Sequence, residues 1–94
     1  MSVDVLELAL GLTRAMLAAA QAQEWPRLIE LEAEREPLLL RRHASDPDSL
    51  ARLDEILAYD RQLQAIVGRA RDSAAEQWQQ ETDRARAIAA YARP

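Results

Sequence analysis

The stretch DPDSLARLDEILAYDRQLQAIVGRARDSAAEQWQQETDRARAIAAYA, residues 46–92, decides the fold. Asp46 is a good N-cap, Pro47 suits the first helical position, and Asp48 places negative charge in the first turn. No proline follows until Pro94. Leu50, Leu53, Leu57, Asp60, Leu63, Val67, Ala70, Ala74, Trp78, Glu81, Ala85, Ile88 and Tyr91 step by three or four, which on a helix makes one stripe. The spacing predicts a helix over about residues 47–92, roughly 70 Å long. The stripe changes character on the way. Up to Val67 it is mostly large aliphatics, and beyond Gly68 it is alanine, one tryptophan and polar residues. The first half therefore reads as an intramolecular core and the second as a surface left partly uncovered.

Upstream, Ser2 or Asp4 can cap a first helix over about 4–22, with Glu7 three residues after Asp4 as in a capping box. Leu6, Leu10, Thr13, Met16, Leu17 and Ala20 form one face, and Leu8, Leu12, Ala15 and Ala19 a second beside it. An apolar arc this wide predicts two neighbours rather than one. Gln23 to Pro26 reads as a turn, because Pro26 biases Trp25 away from helical angles and itself opens a new helix. That second helix, over about 26–43, carries Leu28, Leu31, Arg35 and Leu38 on one face, with Glu30, Glu32, Glu34 and Glu36 around the rest. Pro37 should kink or split it near Glu36, at roughly 3 kcal/mol in an otherwise regular ladder. Arg41, Arg42 and His43 suit its C-terminal dipole.

The remaining totals narrow the class. A chain of 94 residues has room for one small domain, here taken as a single helical unit over 1–94, and buries only about 60% of its unfolded surface. Two glycines, no phenylalanine and 4% aromatic residues favour helix over sheet. The expected fold is all-α, an antiparallel three-helix hairpin or bundle with one long C-terminal helix. With no cysteine there is neither a disulfide framework nor a thiolate metal site. The absence of a signal-like N-terminus and of any run approaching 20 apolar residues predicts a cytoplasmic protein without a membrane span. The net charge is -4, with all 12 basic residues arginine. Residues 1–48 hold 5 basic and 9 acidic side chains against 7 and 7 in residues 49–94, which disfavours direct nucleic-acid binding.

Arg35 and Asp60 are the two charges that interrupt otherwise apolar stripes. In an antiparallel pairing of the second and third helices they can approach as a partly buried ion pair that fixes the register of the hairpin. The first two helices are too short to shield the third, so its last 25 or so residues should overhang and carry Trp78, Ile88 and Tyr91 with them.

No catalytic or cofactor chemistry emerges. A di-iron bundle needs Glu-x-x-His pairs, and the residues three away from His43 are Leu40 and Asp46. His43, Ser45 and Asp46 are triad residue types crowded into one polar loop, without a nucleophile elbow or oxyanion hole, and read as a solvated helix end. With two isolated glycines and no lysine a phosphate-binding loop is absent. No enzyme activity, metal or cofactor is expected.

The residues also resemble a known family, the flagellar export chaperones of the FliT type. Leu12, Thr13, Met16, Leu17, Ala20, then Glu24 and Trp25, then Leu28, Leu31, Arg35 and Leu38 look like that family's first half. Asp60 with Leu63, and the closing Ala89, Ala90 and Tyr91, look like its second. Pro26 stands where the family often has an acidic residue, and the helix that longer members carry after this point does not follow. The resemblance implies a chaperone that binds the C-terminal helical region of the filament-cap protein, prevents premature assembly and aids delivery to the export apparatus. Contacts with the export ATPase complex and with a flagellar transcriptional regulator are implied as well. Carried over, Leu63, Ile66, Val67 and Ala70 would line the client site and Tyr91 would touch export components, while Trp78 joins the client site from the stripe. Two alternatives stand beside this reading. One is a self-associating helical scaffold, a homodimer through the overhangs, and the other is a chaperone of hook-junction proteins.

Overall fold

The computed structural model describes residues 4–92, which form α1 (Val5–Gln21), α2 (Trp25–Leu39) and α3 (Pro47–Ala92). The architecture is all-α, with the long helix at the C-terminal end. Asp4 caps α1 by accepting a hydrogen bond from the Leu6 N–H at 2.9 Å, and Glu7 does not close a capping box. It pairs instead with Arg52 at 3.2 Å, while the same guanidinium reaches Asp4 at 3.1 Å, so α1 is tied by its first turn to α3.

The turn between α1 and α2 is a full C-cap motif. The Gln23 N–H donates to the Ala20 carbonyl at 3.1 Å and the Glu24 N–H to the Ala19 carbonyl at 2.8 Å, with Gln23 at φ 59. This is the left-handed closure that glycine usually provides, held here by a side-chain-bearing residue. It separates α1 from α2 cleanly. Helix α2 then begins at Trp25, one residue before the expected start, and ends at Leu39 rather than at His43. Pro37 does not split it. The helix runs through Pro37 and stops two residues later, since a proline in the last turn removes a single ladder bond close to where the ladder ends anyway. The His43 Nε2–H donates to the Leu39 carbonyl at 3.3 Å, satisfying one of the end groups from outside the helix.

Burial shows which helix organises the others. Leu6, Ala9, Leu10, Thr13, Met16, Leu17, Ala19 and Ala20 are buried in α1, against Leu31 alone in α2 and Ile56 and Leu63 in α3. The wide arc of α1 packs on both neighbours, whereas no Cα of α2 comes within 8 Å of one in α3. Asp4 and Glu7 meet Arg52 at one end, and Ala20 lies by Ile66 and Ala70 at the other, so α1 runs parallel to α3 while α2 runs against both. The antiparallel pairing expected between α2 and α3 is therefore a matter of direction. Their backbones are held apart, with α1 as the floor between them.

Two clusters fill the core. Met16, Leu17, Ala19 and Ala20 pack with Leu31 and Leu63 near the α1–α2 turn, and Leu6, Ala9 and Leu10 pack with Ile56 toward the other end. Each large aliphatic here contributes about 1.5–3 kcal/mol on burial. Past Ala70 the core ends. Every residue from Arg71 to Ala92 is exposed except the half-buried Thr82, and the molecule extends over 76 × 22 × 20 Å. The projecting half of α3 is supported locally. The Thr82 hydroxyl donates to the Trp78 carbonyl at 2.9 Å and the Gln79 amide to Asp83 at 3.0 Å, one helical turn apart.

Candidate functional site

Keeping α2 and α3 apart leaves a groove between them. Its floor is Met16 of α1, one wall is Leu28, Glu32 and Arg35 of α2, and the other is Asp60, Leu63, Gln64, Val67, Gly68 and Arg71 of α3. The groove holds about 460 Å³. Next to it, where the α1–α2 turn faces α3, a second hollow of about 690 Å³ is lined by Ala20, Gln23 and Trp25 on one side and Ile66, Ala70 and Ala74 on the other. The two adjoin along α3, where Val67 faces the first and its neighbour Ile66 the second. Their apolar residues make a strip, flanked by the exposed Gln21, Gln64, Arg69, Arg71, Ser73 and Gln77, that continues onto the projecting helix toward Trp78.

Glu32, Gln64 and Arg71 are exposed at the rim of the groove, and the polar feature set deeper in it is built from three helices. Arg35 Nη1 donates to Asp60 Oδ1 at 2.6 Å and to Thr13 Oγ1 at 3.1 Å, and the Thr13 hydroxyl donates onward to the Ala9 carbonyl at 2.7 Å. The side chain of Arg35 is 11% exposed and that of Asp60 26%, and Thr13 is fully buried. Thr13 is one turn from Ala9 on α1, so its hydroxyl is satisfied locally and still offers a lone pair to the guanidinium. The clasp thus spans the groove where the backbones do not meet. Besides the Arg52 pairs that tie α1 to α3, the ion pairs of Arg14 with Glu55 at 3.5 Å and Arg27 with Glu30 at 3.7 Å are exposed and contribute little.

The residues singled out from the sequence fall into three settings. Leu63 is 6% exposed and belongs chiefly to the core, showing only an edge to the groove. Ile66, Val67 and Ala70 are half-buried and line the hollows. Trp78 is 67% and Tyr91 92% exposed on the projecting helix, one turn and several turns beyond the strip respectively. Met16, Trp25 and Leu28 line the site too, although the stripes alone assign them only to packing. Thr13 is the further polar member. Its signal is that each of the three helices has one polar residue breaking the large-aliphatic part of its apolar face.

His43, Ser45 and Asp46 do not assemble a catalytic unit, since His43 caps α2 and Asp46 caps α3. Asp46 Oδ1 accepts from the Ser49 hydroxyl at 2.7 Å and Oδ2 from the Ser49 N–H at 3.2 Å. These bonds, the hydroxyl first, hold its carboxyl below the ordinary value of 3.8. Among the described residues no three His, Cys, Asp or Glu side chains gather where they could hold a metal ion, and no helix is long and apolar enough to cross a membrane.

The described residues thus present a groove walled by two helices, with a strip that runs out along the uncovered half of α3. The family model for flagellar protein FliT matches residues 3–93, and the chain belongs to that family, whose members are flagellar export chaperones. No curated protein and no solved structure matches the chain.

Proposed function

We infer that this chaperone binds the C-terminal helical region of the filament-cap protein, keeps it from assembling early and carries it to the export apparatus. The observation that carries the reading is the strip from Met16, Leu28 and Val67 through Ile66 and Ala70 toward Trp78. An amphipathic helix laid with its apolar face in a groove is a recurring recognition mode, and a strip of this length suits anchors repeating every three or four residues. Leu63, Ile66, Val67 and Ala70 supply the bed, and Trp78 extends it with a large ring that is two-thirds exposed. Tyr91, at the far end of α3, is then free to meet export components such as the ATPase complex, or a flagellar transcriptional regulator, while the client is held.

The test is calorimetric titration with the C-terminal helical segment of the filament-cap protein from the same bacterium, with mass checked by light scattering. Saturable one-to-one binding, weakened by Val67→Asp and by Trp78→Asp, is expected. No binding by a folded monomer would remove this client and turn the search to hook-junction proteins. A stable dimer that Trp78→Asp dissociates, with no peptide bound, would establish the self-associating scaffold instead.

A further inference from the structure

Within the groove the clasp has bonding capacity that the protein leaves open. Only Nη1 of Arg35 and Oδ1 of Asp60 take part in the bonds that join the three helices. Arg35 has further N–H groups, and Asp60 has a second oxygen. No buried side-chain nitrogen or oxygen lacks a partner among the described residues, so the free groups of the clasp reach solvent. A helix laid over Met16, Leu28 and Val67 takes that water away, because Arg35 and Asp60 line the same groove. An entirely apolar helix face would then leave a carboxylate oxygen and guanidinium donors without partners, and such groups are costly when buried.

We propose that the Arg35–Asp60 clasp sets the register of the docked helix by requiring one side-chain amide, Asn or Gln, within its otherwise apolar face. The inference rests on the groove being the client site, as read above. The choice of an amide follows from charge and from inventory. Arg35 and Asp60 already neutralise each other at 2.6 Å, so a charged side chain brought to them loses its water and gains no net counter-charge from the pair. An amide has an NH₂ for the free Asp60 oxygen and a carbonyl for the free Arg35 donors. Glu32, Gln64 and Arg71 line the groove only at its exposed rim, whereas the clasp lies among Met16, Leu28, Leu63 and Val67, so a helix shifted by a turn carries its amide off the clasp and onto apolar side chains. A single polar residue in an apolar seam fixes the register of coiled coils in the same way.

The test uses the full chain and the same C-terminal segment of the filament-cap protein as probe. Each Asn and Gln on the apolar face of that segment is changed to Leu singly, and each peptide is titrated against the wild-type protein and against Arg35→Met/Asp60→Leu. One Leu substitution is expected to raise Kd about tenfold against the wild type, about 1.4 kcal/mol, even though leucine is the more apolar residue. Against the double variant the same substitution should leave Kd unchanged or lower it. Binding of the unmodified segment to the wild type with every Leu peptide as tight or tighter overturns the register role and leaves the client assignment standing. Failure of the unmodified segment to bind the wild type overturns both. Should the double variant not fold, judged by circular dichroism, the peptide series on the wild type decides alone, and a uniform response across all positions overturns the proposal.

Discussion

Breaking one side of the clasp should cost far more than removing both sides. With charge centres about 4 Å apart and an effective dielectric near 20, the pair gains about 4 kcal/mol of Coulomb energy. Desolvating a guanidinium that is 11% exposed, and ordering its long side chain, offset roughly half of this. Arg35→Met leaves Asp60 beside apolar groups, and Asp60→Leu leaves Arg35 with Thr13 alone. Each should lower the unfolding free energy by about 2 kcal/mol, between the values for exposed and for fully buried pairs. For a chain of 94 residues that is a fall in Tm of about 8–16 °C. The double variant should lie within about 1 kcal/mol of the wild type, because burying two apolar side chains of similar volume makes up most of what remains of the pair's attraction once desolvation and ordering are subtracted. Urea unfolding of all four proteins, followed by circular dichroism at 222 nm, gives the complete cycle. Single variants within about 0.5 kcal/mol of the wild type, or a double variant as unstable as the two singles added, would refute the reasoning.

Other consequences follow from particular residues. Gln23→Gly relieves a left-handed backbone at φ 59 and should raise stability by about 0.5–1 kcal/mol, read from the urea midpoint. Asp46 has a carboxyl held below 3.8 in the folded state, so its contribution is complete above that pH and is lost as the pH falls through the lower folded value. Asp46→Asn, which keeps a cap but cannot ionise, should flatten stability against pH below about 4 in acid titrations. Trp78→Asp should leave stability within about 0.5 kcal/mol, since the ring is 67% exposed, while weakening the binding of the cap-protein segment. Amide exchange should separate the two halves of α3, with residues beyond Arg71 losing protection well before those around Ile56 and Leu63.

Most of the architecture is legible in the periodicity of the apolar residues. The Asp46-Pro47-Asp48 start and the unbroken stripe to Tyr91 identify α3 because nothing in the stretch competes with helix, and the loss of large aliphatics after Gly68 marks where cover ends. The two-sided face of α1 announces two neighbours. What periodicity cannot convey is which pair of helices stands apart. Burial of Met16 and Leu31 is equally compatible with a closed bundle, and only the packing of α1 on both partners opens the groove. The end of α2 at Leu39 escaped for a related reason. Arg41, Arg42 and His43 are good last-turn residues, yet His43 caps the helix from beyond it. Pro26 announces the turn over Gln23 to Pro26, but not its left-handed closure at Gln23, whose residue type is not the one that backbone angle favours. Arg35 and Asp60 stand out as charges on apolar stripes, whereas Thr13 reads only as a member of the α1 face, being small enough to pass for a core residue until its hydroxyl is seen under the guanidinium.

The unsupported half of α3 also governs how this molecule moves through water. A compact chain of this length has a radius of gyration of about 12 Å, and this one has 20.2 Å. Its drag is that of a rod, so a monomer will leave a gel-filtration column early, at a volume that a globular standard would assign to a dimer or larger. A client helix laid along α3 would thicken the rod without lengthening it, so the complex should elute close to the free protein despite its greater mass.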